Sequence, residues 1–436
     1  MRSRFTILVG LVLALALVAA ACSSDDTGDE STTTTEATTT TTEAAETTTT
    51  AAPETTTTEA MEAIDLVIWA DEKRAPILET LAPKVLEETN VNLVIDVIVY
   101  DDLREQVTTA APAGEGPDIF IGAHDWTGEM AASGISAPID LGGRDEEWFP
   151  VALQSFNYNG QLYALPYQSE AVALYYNTDL VPEPPTTIEE LTAICDELSD
   201  IENCWAIPGG GDGADPYHNY AFVSAQGGYI FAFDPTTGYD VTDVGLDNEG
   251  AIAGVTVLEQ LATDGYVGNV NGGDAQTQFQ DGKAPFFLSG PWQLAGFDEL
   301  GIPYGVAKLP TMEGQAMRPF LGAGGWFINQ FSENVGIAEA FLLDYIATDD
   351  AMLALYEADP RNPVFKTTFE AVAADNPIAE TFALSGADGF PMPNIPEMNN
   401  VWGPLGEQIL GVRNLQIDAA TAMTNAAEQV RAAVEG

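Results

Sequence analysis

One carboxylate of this sequence is predicted to lie at the end of a buried strand, which is an unusual position for a charged group. Glu170 lies at the mouth of residues 171–176, a short apolar and aromatic run that is predicted to be a strand. A carboxylate at the end of a buried strand is costly unless it faces water or hydrogen-bond donors. Glu170 is therefore either a solvated strand end or a group that serves a binding site.

Two further charged residues follow predicted strands directly. Strands alternate with helices over this part of the sequence, with strands predicted at 66–69, 92–99 and 119–121 and helices at 76–88 and 101–111. The alternation predicts an α/β fold with a parallel sheet. Ligands of open sheets bind beyond the carboxyl ends of the strands, so Lys73 and Asp125 are both expected at that edge.

The later elements follow from capping and periodicity. Thr187, with Glu190 three residues further on, forms a capping box that predicts a helix to about Leu198. The other predicted elements are helices at 251–264, 275–282, 334–349, 351–358, 368–374, 401–415 and 418–434, and strands at 285–288, 304–309 and 325–328.

The first 62 residues are predicted to lie outside the fold. Residues 1–21 have the basic start, the short apolar run and the small residues of an export signal. Small residues directly before Cys22 resemble a bacterial lipobox, although Ala19 stands where such motifs usually carry Leu. We expect lipidation of Cys22; the alternative is an ordinary cleaved signal. Residues 22–62 are a Thr-rich, low-complexity segment that is predicted to be a disordered tether.

Composition limits the partners. The chain has 436 residues, 46% of them hydrophobic, with 14 basic against 67 acidic residues and a formal net charge of −53. Such a field repels nucleic acid and anionic membrane surfaces, and it keeps an exported protein soluble. The histidines, His124 and His218, have no metal-ligand spacing around them, so no metal site is expected.

The three cysteines divide into one anchor and one pair. With Cys22 lipidated, Cys195 and Cys204 remain. An oxidising, exported setting favours a disulfide between them that closes a short loop. A buried pair of free thiols is the alternative.

Eight phrases in this order resemble the sugar-binding proteins of bacterial ABC importers, closest to the maltose/maltodextrin-binding protein group. They are LVIW at 66–69, GPDIF with AHD at 116–125, SEAVALYYNTDLVPEPPTTIEEL at 169–191, DPY at 215–217, QGGYIF at 226–231, SGPW at 289–292, YGVAKLPT at 304–311 and MPNIPEM at 392–398. The resemblance covers nearly everything between residues 66 and 433.

The resemblance implies a periplasmic-binding-protein-like fold, in which two α/β lobes joined by crossing segments close on a sugar. The first lobe is expected at 63–168 plus 325–371, and the second at 172–320 plus 378–436. Glu170 then lies at the first crossing, beside the cleft. The implied protein is a monomeric, lipid-anchored receptor on the extracytoplasmic face of the plasma membrane. It has permease subunits as partners, no cofactor and no enzyme activity.

A sugar presents hydroxyl groups at its edge and apolar C–H patches on its faces, so its site needs polar groups and aromatic plates. By resemblance, the expected hydroxyl-binding residues are Lys73, Asp125, Glu170 and Asp215. The expected aromatic plates are Tyr217, Trp292 and Trp402, with Trp126 as a plate gained at a shifted place and Met392 lining the cleft.

Departures from the family pattern leave the sugar open. Gly122 occupies a family tryptophan position and Trp126 an arginine position, whereas Asp215 stands where the family usually has Glu. Gly403 and Gly406 replace a tyrosine and an arginine. Because each lost contact is commonly worth about 1–3 kcal/mol, the preferred sugar could change. We expect an α-glucoside or a similar oligosaccharide, and among these maltose, maltodextrins and trehalose stay open.

Two competing functions are considered. One is an importer receptor for another small solute, such as a polyol. The other is a lipid-anchored glycoside hydrolase with Glu170 and Asp215 as its carboxylate pair. Neither residue lies in a hydrolase motif, and the sequence carries no nucleophile elbow, zinc helix or phosphate loop.

Overall fold

The structure, a computed structural model, describes residues 62–209, 215–234, 238–268 and 272–435. These residues belong to one compact unit that spans Met61–Gly436. The export signal, Cys22 and the Thr-rich tether lie outside the described residues.

Within the described residues the strands are short and spread over the whole fold. They are β1 Ile64–Ala70, β2 Val91–Val97, β3 Ile119–Ala123, β4 Ser136–Ala137, β5 Asn157–Tyr158, β6 Gln161–Leu162, β7 Ala164–Glu170, β8 Ala173–Asn177, β9 Trp205–Ala206, β10 Phe231–Asp234, β11 Gly238–Val244, β12 Phe286–Ser289, β13 Tyr304–Ala307, β14 Thr311–Met312, β15 Gln315–Ala316, β16 Phe320–Asn329, β17 Asn362–Pro363 and β18 Phe390–Pro391.

The helices of the same residues alternate with these strands. They are α1 Ala75–Thr89, α2 Tyr100–Ala113, α3 Thr127–Ala132, α4 Pro150–Ser155, α5 Ile188–Glu197, α6 Pro216–Ala225, α7 Glu249–Thr263, α8 Gly272–Gln280, α9 Leu294–Leu300, α10 Val335–Phe341, α11 Asp349–Ala358, α12 Lys366–Asp375, α13 Pro377–Ala387, α14 Asn399–Arg413 and α15 Ala419–Glu435. A π-helical turn, Leu342–Ile346, continues α10.

The first lobe is built on a sheet with the order β17-β7-β16-β3-β1-β2. The strand β3 is apolar throughout and lies in the middle, because only a strand covered on both faces can be apolar on both. Pairing is parallel across β2, β1 and β3 but antiparallel at β16 and β7. The predicted parallel sheet is therefore only part of a mixed sheet, because β16 and β7 cross between the two lobes.

The second lobe is built on a four-stranded sheet with the order β13-β8-β12-β9. Its main core gathers apolar side chains from α5, α6, α7, α14 and α15. A disulfide joins Cys195, on α5, to Cys204, with their Cα atoms 5.6 Å apart and both residues buried in this core. The fold is thus the two-lobed α/β architecture that the sequence predicts.

Local predictions around the first crossing hold with small shifts. The strand predicted at 171–176 is β8, which begins at Ala173, and Glu170 instead ends the preceding strand β7. Thr187 caps α5 by accepting the Glu190 backbone N–H at 3.1 Å, so the predicted helix start is confirmed. The Glu190 side chain accepts from the backbone N–H and hydroxyl of Thr186, and the Thr187 backbone N–H also lowers the Glu190 pKa.

Glycines in β16 allow this strand to approach β7 closely. Gly322 pairs with Glu170, and a Cβ at position 322 would lie 2.8 Å from Glu170 Cγ. Any side chain there would displace the carboxylate. Gly325 stands equally close to the ring of Phe156, with 2.7 Å between that ring and a Cβ at 325.

His124 ties three segments together at the junction of the lobes. It is fully buried; its Nε2 lies 3.1 Å from the Met392 carbonyl oxygen, and its Nδ1 accepts the Ala323 backbone N–H at 3.1 Å. Since Nδ1 accepts, Nε2 must carry the proton and donate to Met392. Burial lowers the pKa of His124 to about 4, so the ring stays neutral.

We expect His124 to make folding sensitive to mild acid. Its pKa in the folded chain is lower than the ordinary 6.5. As pH falls below 6.5, the unfolded chain therefore binds a proton at this imidazole while the folded chain does not, and unfolding is favoured. Between pH 7 and pH 5 the wild type should lose about 2 kcal/mol more unfolding free energy than His124→Gln, which keeps a donor and an acceptor but does not titrate. Urea unfolding at both pH values measures this, and equal losses would contradict it.

Candidate functional site

A buried ion-pair cluster lies where the first lobe meets the crossing strands. Arg74 donates to Asp71 at 2.8 Å, to Gln168 at 2.8 Å and to Asp359 at 2.5 Å. Arg361 contacts the same Asp359 at 3.0 Å and Glu170 at 2.9 Å. The cluster therefore joins α1, β7 and the segment before β17.

The cluster is balanced in charge. Its bases are Lys73, Arg74 and Arg361, and its acids are Asp71, Asp359 and Glu170. Lys73 is the outermost member, half-buried and 3.9 Å from Asp359. Burial raises the pKa of Glu170, and the facing Arg361 acts to lower it.

Aromatic rings of the second lobe lie beside this cluster. Tyr217 lies 6.1 Å from Trp292 and 6.0 Å from Phe320, and Phe320 lies 5.8 Å from Trp402, measured between ring centroids. The Arg361 guanidinium lies over the Trp292 ring at 5.5 Å, which joins the cluster to the aromatic group. Four of the expected site residues, Glu170, Tyr217, Trp292 and Trp402, thus lie in one connected group.

Four buried polar atoms beside these rings have no hydrogen-bond partner among the described residues. They are Glu170 Oε2, Tyr217 Oη, His218 Nε2 and Arg361 Nε. The 2.9 Å contact of Glu170 with Arg361 is an ion pair without hydrogen-bond alignment. A Cβ at Gly322 would lie within 3.2 Å of both Glu170 Oε1 and Tyr217 Oη, so these two side chains are neighbours. Buried polar atoms are normally paired, so this group indicates a place for a ligand.

Asp215 faces a protein partner. It is the N-cap of α6: Oδ1 accepts the His218 backbone N–H at 3.1 Å, and Oδ2 lies 2.6 Å from His218 Nδ1. Burial alone would raise the pKa of Asp215, but the charge and hydrogen bonds of His218 outweigh burial and lower it. Sequence reasoning predicted Asp215 as a hydroxyl-binding residue and overlooked His218.

Asp125 lies at the contact between the lobes. It is 6% exposed and accepts a hydrogen bond from Trp402. Burial raises its pKa to about 6, against the opposing charge of Arg104. Arg104 also reaches across to Asn399, at the start of α14. These contacts link the first lobe to the helix that carries Trp402.

Trp126 is packed into the first lobe. Its indole is 7% exposed, lies 5.7 Å from Tyr100 and 5.6 Å from the Arg104 guanidinium, and belongs to the core. A Cβ at Gly122 would lie 2.5 Å from the indole of Trp126. The ring therefore occupies the space that a side chain at 122 would need.

Met392 lines a groove that borders the aromatic group at Phe320. Its side chain is buried, and the groove, of about 1600 Å³, is also lined by Tyr220, Phe320 and Phe390. Glu170, Tyr217 and Trp292 do not line this groove.

Arg361, Arg74 and Asp359 are site residues that sequence reasoning missed. Arg361 carries a weak signal: a basic residue, one of 14 in the chain, that stands between Pro360 and Pro363. Prolines on both sides exclude regular helix, so such a cation is held in a fixed, irregular segment.

Metal ions and membrane spans give no further indication of function. In the ranges that the structure describes, no group of three or more His, Cys, Asp or Glu side chains is placed to hold a metal ion. None of the helices in those ranges is both long and apolar enough to cross a membrane.

This chain is similar to several proteins that are named for the oligosaccharides they bind. A galactooligosaccharide-binding protein of Bacillus subtilis (strain 168) is 27% identical over 385 residues, covering 85% of this chain and 90% of the relative. The maltodextrin-binding protein MdxE of the same organism is 28% identical over 372 residues, covering 82% and 85%. A maltotriose-binding protein of Pyrococcus abyssi (strain GE5 / Orsay) is 30% identical over 315 residues, covering 69% and 67%.

A family model described as bacterial extracellular solute-binding protein matches residues 80–381 of this chain. The match takes in most of the sheet of the first lobe, the whole sheet of the second lobe, and Glu170, Tyr217, Trp292 and Arg361. The chain therefore belongs to the family of bacterial extracellular solute-binding proteins.

Proposed function

We propose that this chain is the extracytoplasmic receptor of an ABC importer and that it binds a neutral oligosaccharide of the maltodextrin type. The observation that carries the proposal is a group of buried atoms without a hydrogen-bond partner among the described residues, Glu170 Oε2, Tyr217 Oη and His218 Nε2, beside the rings of Trp292 and Phe320. Hydroxyl groups satisfy such atoms, and aromatic rings cover the apolar faces of a sugar.

The balance of charge supports a neutral ligand. Three bases and three acids in the cluster leave no net charge for a charged solute to pair with. A ligand carrying a charge would lose its hydration without gaining an opposite charge. Three relatives are named as galactooligosaccharide-, maltodextrin- and maltotriose-binding proteins, and these names support the same class of solute.

Delivery by hinge closure follows from where the contacts lie. Trp292 and Trp402 belong to the second lobe and face Arg361 and Asp125 of the first. A ligand that contacts both lobes favours closure only by its difference in affinity between the open and closed forms. We propose 63–168 plus 325–371 and 172–320 plus 378–436 as the moving bodies, and a permease as the partner of the closed form.

Ligand-induced stabilisation tests the proposal first. We expect one oligosaccharide among maltose, maltotriose, trehalose, sucrose and a galactooligosaccharide, at about 100 times its Kd, to add about 2.7 kcal/mol and to raise Tm by about 5 °C. Sorbitol, as the polyol of the panel, should not. Chromatography of the mixture should recover the sugar intact. Stabilisation by sorbitol alone would contradict the proposal, and cleaved sugar would favour a hydrolase.

Removal of the aromatic rings tests the place of binding. Trp292→Ala and Trp402→Ala should each weaken affinity for the stabilising sugar about 10- to 100-fold, because each removes stacking and burial worth about 1–3 kcal/mol. Trp69→Ala is the matched control: this half-buried tryptophan of β1 bonds Asp96 and is not part of the aromatic group. Calorimetric titration measures all three, and unchanged affinity in both site variants would reject the site.

The lipid anchor is a separate proposal that rests on Cys22. Lipidation at this cysteine would hold the receptor at the membrane through the Thr-rich tether. We expect Cys22→Ser to move the protein from the membrane fraction to the soluble fraction of the producing cells. Retention of the variant in the membrane fraction would show that another feature anchors it.

A further inference from the structure

We infer that His218 is a ligand-contacting residue of this site, that its Nε2 accepts a hydrogen bond from a sugar hydroxyl, and that Asp215 is the residue that positions it. The inference rests on the proposed function and changes the part that Asp215 plays in it. In the sequence His218 directly follows the phrase DPY at 215–217.

Asp215 holds His218 at two points. Its Oδ1 accepts a hydrogen bond from the His218 backbone N–H at 3.1 Å, and its Oδ2 lies 2.6 Å from His218 Nδ1, within hydrogen-bond distance. The first contact is also the N-cap of α6, so one side chain fixes both the start of the helix and the imidazole. Both carboxylate oxygens of Asp215 contact His218, so we expect Asp215 to act through the ring and not on the sugar directly.

The contact with Asp215 sets which ring nitrogen carries the proton. An ionised carboxylate only accepts, so Nδ1 must donate. In a neutral imidazole the other nitrogen is then bare and accepts. When His218 is neutral, Nε2 is therefore an acceptor without a partner among the described residues, in a side chain only 13% exposed.

The His218 ring lies close enough to Trp292 to contact a sugar stacked on that indole. Its centroid lies 5.7 Å from Trp292, with the ring planes at 87°, and 5.7 Å from Tyr217. The charged groups that interact with it are Glu170 on β7 and Asp215; Arg361 pairs with Glu170, and Arg413 interacts with Asp215. Since Glu170 offers a second acceptor and Tyr217 a donor, the three groups together suit adjacent hydroxyls of one ring.

His124 provides an internal standard for the tautomer. It is the other histidine of the chain, and it accepts at Nδ1 and donates at Nε2, the reverse of His218. It is buried at the junction of the lobes on partners from the backbone. A ligand in the aromatic group would not contact it.

Nitrogen-15 NMR of the full chain labelled at histidine tests the tautomers. We expect two imidazoles of opposite tautomer, with the proton on Nδ1 in His218 and on Nε2 in His124. On adding maltotriose, or whichever sugar of the panel stabilises the protein, the His218 Nε2 resonance should shift and that of His124 should stay. A proton on His218 Nε2 at neutral pH, or an unmoved resonance in the saturated protein, would overturn the inference.

Substitution separates a ligand contact from a structural part. His218→Gln can place a polar atom near the position of Nε2, whereas His218→Asn reaches only that of Nδ1 and His218→Phe keeps ring shape alone. We expect Phe and Asn to weaken affinity about 10- to 100-fold and Gln to lose less than about fivefold. A merely structural role would give no advantage to Gln over Asn, so equal losses in these two variants would overturn the inference.

Asp215→Asn tests the positioning role. Asn is as good an N-cap as Asp but no longer forces the proton onto Nδ1. We expect a weakened affinity with Tm nearly unchanged, and a mixed tautomer in the spectrum. The matched control is Asn248→Asp, the reverse exchange at the N-cap of α7, where Asn248 accepts the Ala251 N–H at 2.7 Å.

The outcomes separate the two proposals. If the wild type binds no sugar of the panel, the proposed function fails and the ligand contact fails with it. If the wild type binds a sugar as tightly as His218→Phe does, the receptor function stands and the inference alone is overturned.

Discussion

The position of the site depends on one buried carboxylate, Asp359. It accepts a hydrogen bond from Arg74 at 2.5 Å and forms an ion pair with Arg361 at 3.0 Å, while it is only 1% exposed. Arg74 reaches Gln168 on the crossing strand β7, and Arg361 covers the ring of Trp292 in the other lobe. Buried ion pairs add little net stability, because desolvation offsets their attraction, but removing one partner is strongly destabilising. What this cluster secures is the geometry of the crossing.

The site divides its polar groups into two kinds. The charged residues are mostly paired with one another: Arg74, Arg361 and Asp359 within the cluster, and Asp215 with His218. The buried atoms without a hydrogen-bond partner among the described residues include a phenol oxygen, an imidazole nitrogen and one carboxylate oxygen. A protein with a net charge of −53 thus has a charge-balanced ion-pair cluster beside groups that suit hydroxyls.

Sequence reasoning succeeded where a pattern is local. The capping box at Thr187 and the apolar strand at Ile119 depend on neighbouring residues, and both are observed. It failed where the cause is tertiary: β16 is antiparallel to β3 because it returns from the other lobe. The roles of Arg361 and His218 depend on partners 191 and 3 residues away, Glu170 and Asp215. The contact between Asp215 and His218 depends on the helix α6, whose start at Pro216 brings the two side chains together.

The pair formed by Gly122 and Trp126 constrains how this cleft can evolve. The indole of Trp126 fills the space beside the Gly122 backbone, 2.5 Å from where a Cβ would stand. A tryptophan at 122 would require a smaller residue at 126, and loss of Trp126 alone would leave a cavity in the core. The two positions should therefore change together among related sequences.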